Sequence, residues 1–208
     1  DGTTRVFSIE NGDCKEVKRY SLGVQVALTG NGFVFSFKKK NSTIQLIKTN
    51  LMSGEEAKIA TQSDDYSAKL RSFGQTTLMR YLPKADKLLA FGSTIGVREN
   101  YDNLANLWLI DAKTGKTEFI VQTGDKLGSA IRDSNFYDKS ISISSDERYA
   151  AYMSGYSSNT VYLFDLKEKR QLHQFEGINR DGTGITFLTD SHGLIVHNNE
   201  SSSSGAVH

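Results

Sequence analysis

The fold is decided by two consecutive stretches, SISISSDERYAAYMS (residues 140–154) and NTVYLFDLKEKRQLHQFEG (residues 159–177). In each stretch, two apolar bursts flank a short polar turn, around Asp146 in the first and around Lys167, Glu168 and Lys169 in the second. Apolar positions at the spacing of an amphipathic helix are nearly absent. Strand-forming bursts separated by polar turns are typical of β-hairpins. Together the two stretches predict a unit of four antiparallel strands.

Both hairpins recur along the chain. The first type returns at residues 24–37, 76–92 and 184–197, and the second at residues 3–23, 43–61 and 106–124. Three of the four turns of the second type contain a glycine, which adopts a positive φ without a steric penalty (Gly12, Gly54 and Gly115). A four-stranded unit repeating at about 40 to 60 residues is typical of a β-propeller. The predicted fold is therefore all-β, with four-stranded antiparallel blades.

The chain resembles the WD-repeat and TolB-like β-propellers, and the likeness covers nearly the whole sequence. The pairs Ile110-Asp111 and Phe164-Asp165 stand where WD-repeats place Trp-Asp. The Gly-His pair of strict WD-repeats is missing, so the resemblance implies the looser TolB-like or other bacterial-type repeats. It implies an architecture and no particular function. The third unit follows the family pattern of turn, inner strand and outer strand at residues 145–146, 150–154 and 161–166.

The order of the hairpins predicts where the blades lie. Three complete blades are expected at about residues 24–62, 75–123 and 139–177, with half blades at 1–23 and 184–208. The two halves could join into a composite blade that closes a four-bladed ring. Alternatively, the chain is part of a larger propeller, which we favour because residues 205–208 resemble the start of another strand. In either case we expect one propeller domain, or a fragment of one, over residues 1–208.

Composition narrows the class of protein. The chain has 25 Lys and Arg against 24 Asp and Glu, so it lacks the basic field usual in nucleic-acid binders. No apolar run approaches the ~20 residues of a membrane span, so no membrane insertion is expected. Cys14 is the single cysteine, which excludes an internal disulfide and a cysteine-based zinc site.

The chain begins at Asp1, as a processed chain or a piece of a longer one would. Cytosol and bacterial periplasm or cell envelope both remain open.

Function is predicted on the face that carries the long connections between strands. The turns within each hairpin are short, whereas residues 62–74, 93–105, 125–139 and 198–206 form long connections that a propeller collects on its opposite face. These and shorter connections on that face contain Tyr, Arg and Phe, and Tyr and Arg are enriched in protein-binding hot spots. The predicted partner-binding residues are Tyr66, Arg71, Arg98, Tyr101, Arg132, Phe136, Tyr137, Tyr156 and Arg180.

No motif for catalysis or cofactor binding was found. There is no phosphate-binding loop and no Gly-x-Ser-x-Gly elbow, and no third ligand joins His192 and His197. No cofactor, metal site or catalytic residue is therefore predicted, although a bound Ca²⁺ remains open. The first hypothesis is a non-catalytic scaffold that binds a protein or peptide, or the remaining blades of the same propeller. The alternative is a cell-envelope hydrolase or lyase, with carboxylates such as Glu99, Asp102 and Asp133 at the top centre of the propeller.

Overall fold

The structure, a computed structural model, is entirely β in the residues it describes. Those residues are 3–11, 13–22, 26–41, 43–63, 76–94, 104–126, 141–153, 161–175, 184–190 and 193–197. They contain sixteen strands and no helix. The predicted all-β class is confirmed.

The strands form three four-stranded sheets and two two-stranded sheets. In each four-stranded sheet the strands lie side by side in chain order, the meander of a propeller blade. The first two-stranded sheet is β1 (Thr3–Glu10) and β2 (Asp13–Ser21), and the second is β15 (Gly184–Phe187) and β16 (Leu194–His197). The first four-stranded sheet contains β3 (Val26–Leu28), β4 (Phe33–Lys40), β5 (Thr43–Asn50) and β6 (Glu56–Ser63). The second contains β7 (Thr76–Leu82), β8 (Lys87–Thr94), β9 (Leu104–Asp111) and β10 (Thr117–Lys126). The third contains β11 (Ile141–Ile143), β12 (Tyr149–Met153), β13 (Val161–Asp165) and β14 (Arg170–Phe175).

The chain divides into two compact units, which are described separately. The first contains β1–β9 and β10 as far as Gln122, and the second contains β11–β16. That residues 1–208 form one propeller domain, with the blade limits given above, stays a prediction.

The core of the first unit lies between two sheets packed face to face. The β3–β6 sheet contributes Ala27, Phe35, Ile44 and Leu46, and the rings of Phe35 and Tyr81 stack at 5.7 Å. β3 lies against β7, so the first strands of the two sheets are neighbours. The β7–β10 sheet contributes Met79, Leu88, Ala90, Trp108, Ile110 and Ala112. Packing of this kind buries strand residues that an open sheet would leave in water, and each large side chain contributes about 1.5–3 kcal/mol.

The same turn follows the third strand of each four-stranded sheet. The third strand ends at Asn50, Asp111 or Asp165, and the Oδ1 atom of that side chain accepts hydrogen bonds from the two amides that follow at positions +2 and +3. Asn and Asp favour turns because they satisfy backbone donors in this way. The same device therefore shapes the second turn of all three sheets.

A backbone hydrogen bond joins the two turns of each sheet. The residue after the capping side chain donates its N–H to the carbonyl that precedes the second strand. The donor–acceptor pairs are Leu51–Gly32 at 2.9 Å, Ala112–Asp86 at 3.2 Å and Leu166–Arg148 at 2.8 Å. Both short turns of a sheet thus lie together at one end of its strands, which we call the turn edge.

In the first unit, the turn edge of each four-stranded sheet rests on the last strand of the preceding sheet. The Tyr20 hydroxyl on β2 donates a 2.7 Å hydrogen bond to the Leu51 carbonyl. A Cβ placed on Gly115 would lie 2.2 Å from the Cβ of Ala60 on β6. β2 therefore corresponds to the fourth strand of a four-stranded sheet, which is the position that β6 has in the β3–β6 sheet.

The second unit repeats the face-to-face packing with a narrower partner. Ala151, Val161 and Ile185 are buried between the β11–β14 and β15–β16 sheets. β15 lies against β11 and β12, and the Phe187 N–H donates to Ser142 Oγ at 3.0 Å. β15 therefore occupies the position of a first strand, as β7 does in the first unit.

Candidate functional site

The sequence-predicted binding residues lie outside the described residues. This holds for all nine: Tyr66, Arg71, Arg98, Tyr101, Arg132, Phe136, Tyr137, Tyr156 and Arg180. It also holds for Glu99, Asp102 and Asp133 of the alternative hypothesis. The structure does describe the strand ends that flank their connections, and those ends lie at the edge opposite the turn edge. The assignment of these residues to a binding face stays a prediction.

The described residues do form a small cleft, at the turn edge of the β7–β10 sheet. Its volume is about 250 Å³, which suits a single side chain or a small charged group. Polar or charged residues of both signs supply all of the lining residues except one leucine: Lys87, Leu109, Asp111, Lys116, Thr117 and Glu118. Since all six come from the second, third and fourth strands of one sheet or the turn between them, the sheet alone builds the cleft.

Asp111 in this cleft is committed to the turn. Its Oδ1 atom accepts from the Thr114 N–H at 2.8 Å, the Thr114 hydroxyl at 2.8 Å and the Lys113 N–H at 3.0 Å. The hydrogen bonds from Thr114 are the main cause that holds the pKa of Asp111 below its ordinary value, and the Lys87 charge adds to them. A carboxylate held ionised in this way caps the turn and is a poor general base.

A second carboxylate ties the other turn to this edge. Asp86 has a φ of 50° and accepts from the Tyr81 hydroxyl at 2.9 Å. The Lys113 ammonium lies 3.1 Å from its other oxygen, and these two hydrogen bonds, the one from Lys113 being the stronger cause, lower the pKa of Asp86. Lys87 and Glu118 add an ion pair at 3.5 Å. The charged groups of the edge thus bind one another and hold the two turns rigid.

The cleft combines two lysines with two carboxylates, and one of these carboxylates, Asp111, is already hydrogen-bonded to the turn. Over the ranges that the structure describes, no three His, Cys, Asp or Glu side chains come together as metal ligands. Cys14 is exposed, and the ring of His173 lies edge-on to the ring of Phe175, with 4.5 Å between the ring centroids. Within the same ranges, no helix is long and apolar enough to cross a membrane.

Sequence reasoning passed over this cleft because it placed function on the long connections. A signal was present, since charged residues of both signs cluster in and beside both turns of this sheet, at Asp86, Lys87, Asp111, Lys113, Lys116 and Glu118. Such a pattern is also the ordinary composition of an exposed turn, so it does not separate a cleft from a solvated edge.

Comparison with known proteins finds likeness at the level of structure. No family model matches the chain, and no curated protein matches it. A protein of unknown function from Desulfotomaculum acetoxidans is similar with a TM-score of 0.54 and 13% identity, over 94% of this chain and 54% of that one. The β-propeller domain of the trilobed protease of Pyrococcus furiosus has a TM-score of 0.49 and 12% identity, over 85% and 49%. The tricorn protease has a TM-score of 0.48 and 15% identity, over 81% and 14%.

The chain spans about half the length of the first of these structures, and at this identity the likeness concerns the fold alone. The meander of four-stranded sheets itself supports a propeller-like fold. The narrower resemblance to WD-repeats or TolB-like repeats stays a prediction.

Proposed function

We propose that the chain is a non-catalytic propeller-type scaffold that binds a protein or peptide through its long connections. The observation that carries the proposal is the hydrogen-bonded turn edge. In all three four-stranded sheets a capping side chain and a backbone hydrogen bond between the turns occupy that edge. A repeat fold gathers its longer connections on one face, and we expect these connections to lie on the face opposite the turn edge.

The residue types in those connections support recognition of a polypeptide. Tyr and Arg bury large contact areas and form several hydrogen bonds, and they dominate the hot spots of protein interfaces. Four arginines and four tyrosines are among the nine residues named above. Mounting them on rigid sheets reduces the ordering entropy that binding costs.

The test combines selection of a ligand with a matched pair of variants. A displayed library of random peptides is selected on the purified chain, and the affinity of a selected peptide is measured by calorimetry. The double variant Arg98→Ala/Tyr101→Ala should bind the peptide about tenfold or more weakly, since hot-spot truncation costs about 2 kcal/mol or more. Its melting temperature should match that of the unaltered chain.

Lys167→Ala is the control, because Lys167 is exposed at the turn edge of the β11–β14 sheet. It should leave the affinity unchanged. The proposal fails if the library yields no binder, if the double variant binds as well as the unaltered chain, or if Lys167→Ala weakens binding. Cleavage of the bound peptide, detected by mass spectrometry, would instead favour the hydrolase alternative.

A further inference from the structure

Two buried hydroxyl groups on one face of the β3–β6 sheet have no hydrogen-bond partner among the described residues. They belong to Ser36 on β4 and Thr49 on β5, and both residues are 0% exposed. Val34 pairs with Thr49 and Ser36 pairs with Ile47, so these four side chains share one face of the sheet. A buried hydroxyl without a partner gives up its hydrogen bonds to water when the chain folds, and this loss opposes burial of the face.

The repeat of the sheets shows which neighbour covers this face. Thr49 and Ile110 each precede the residue that caps the second turn of their sheet, and across the ladder Ser36 corresponds to Ala90. In the β7–β10 sheet, the face of Ile110 and Ala90 packs against the preceding sheet. The face of Ser36 and Thr49 therefore packs against the β1–β2 hairpin, which is also the source of the hydrogen bond from Tyr20 to this sheet.

The hairpin presents few apolar groups to this face. Burial alternates along β1 and β2, and the more covered side pairs Thr4 with Tyr20 and Val6 with Lys18. All four residues are only half-buried. By contrast, the β3–β6 sheet packs against β7–β10 with buried aromatic and aliphatic side chains, Phe35 among them. The first interface between sheets is thus more polar than the second.

Polar contacts at the turn edge attach the hairpin to the β3–β6 sheet. The Tyr20 hydroxyl donates to the Leu51 carbonyl at 2.7 Å, and the Lys18 ammonium donates to the Met52 carbonyl. Such bonds replace bonds to water, so their net contribution is small, whereas the contribution of apolar burial grows with area. A two-stranded hairpin is itself marginally stable. The hairpin is therefore the most weakly attached sheet of the first unit.

We propose that the β1–β2 hairpin is a releasable strap, which separates from the β3–β6 sheet as one piece while the four-stranded sheets stay folded. Release returns the hydroxyls of Ser36 and Thr49 to water, so these two groups favour the open state. The equivalent positions of the β7–β10 sheet hold apolar side chains, and that sheet lacks this bias. The strap thus controls access to a face of the β3–β6 sheet that also carries Val34 and Ile47.

Native-state amide hydrogen exchange of the whole chain, followed by nuclear magnetic resonance at low urea concentrations, tests the proposal. After correction for intrinsic rates, the hydrogen-bonded amides of β1 and β2 should exchange at least about tenfold faster than those of β4 and β5. Their exchange should also accelerate with urea, because release of the hairpin exposes surface.

The variants Thr49→Val and Ser36→Ala each remove one hydroxyl and nearly keep the packing. Each should slow the exchange of the β1–β2 amides by about fivefold or more, since a buried hydroxyl without a partner destabilises the closed state. Thr61→Val is the matched control, because Thr61 lies on β6 of the same sheet and is exposed. It should leave the exchange of the hairpin unchanged.

Three results would overturn the proposal. Equal protection of the β1–β2 and β4–β5 amides would show that the hairpin opens only when the whole unit unfolds. Hairpin exchange that does not respond to urea would indicate fraying of strand ends without release. Unchanged or faster exchange in both Thr49→Val and Ser36→Ala would show that the two hydroxyls do not favour the open state.

Discussion

The second turns of the β7–β10 and β11–β14 sheets make the same bend with different side chains. Asp111 and Asp165 cap them in the same way, by accepting hydrogen bonds from the following amides. The position of positive φ is Gly115 in one turn, at 69°, and Lys169 in the other, at 53°. One backbone conformation is therefore reached with and without glycine.

The surroundings explain the difference. Gly115 lies against Ala60 of the preceding sheet, where any Cβ would collide. Lys169 is exposed, and its turn is held instead by Arg148, whose Nε and Nη2 atoms each lie 3.1 Å from Asp165 Oδ2. Asp165 is 1% exposed. Close packing therefore requires glycine in the turn of Gly115, whereas a buried carboxylate and its arginine stabilise the turn of Lys169.

The largest expected effect is that of Gly115→Ala. The new Cβ would lie 2.2 Å from Ala60 Cβ, and the φ of 69° is itself strained for alanine. Overpacking and the left-handed conformation together should lower the free energy of unfolding by about 2–4 kcal/mol. Urea unfolding followed by circular dichroism measures this loss.

Gly32→Ala separates the two causes. Gly32 has a φ of 82°, but among the described residues no atom beyond its two chain neighbours lies within 4 Å of the position of its Cβ. It should lose only the conformational part, about 1 kcal/mol. Equal losses at both positions would show that the contact with Ala60 contributes nothing.

Asp165→Asn should have the next largest effect. Asparagine keeps an oxygen for the Lys167 and Glu168 amides, but Arg148 loses its anionic partner. We expect a loss of about 1–3 kcal/mol, typical of a charged hydrogen bond broken at a buried partner. Asp111→Asn is the matched control: that carboxylate is more exposed, and Asn50 already fills the equivalent position, so the loss should be smaller than that of Asp165→Asn. Similar losses in both variants would contradict the distinction between the turns.

The cost of Asp165→Asn should depend on pH. Burial opposes ionisation of Asp165, but hydrogen bonds from the Glu168 amide and from Arg148 outweigh it and lower the pKa. Because the pKa of Asp165 is lower in the folded chain than the value of about 3.9 expected in the unfolded chain, its ionised form stabilises the fold above that pH. This stability is lost as the pH falls through the pKa of Asp165 in the folded chain. The difference between the unaltered chain and Asp165→Asn should be constant above about pH 5 and shrink below about pH 4. A difference that grows in acid would be the opposite of this expectation.

The smallest expected effect is a gain from Lys169→Gly. Glycine relieves the left-handed strain at φ 53° but gives the unfolded chain more freedom, so the net gain should be about 0.5 kcal/mol. Urea unfolding measures it against Lys167→Ala, an exposed neighbour that should be neutral. A clear loss of stability would show that contacts of the Lys169 side chain outweigh the strain.

Much of the fold was predictable because its signals are local. The alternation of two hairpins predicted four-stranded sheets, and these are present. Gly54 and Gly115 were expected at turns with positive φ, and both have it. The two-residue pattern of strands and the turn preferences of Gly, Asn and Asp depend on a few neighbouring residues, so a sequence displays them directly. The nine binding residues lie outside the described structure, so the site on the long connections remains a prediction.

The positions of strands and turns could be read from the chain alone, because backbone conformation and hydrophobic period are set within about ten residues. The packing of distant strands fixed which glycine is pressed against a neighbouring sheet and that Arg148 reaches Asp165. Those outcomes depend on distances between residues far apart in the chain, such as Ala60 and Gly115, and no local pattern encodes such a distance.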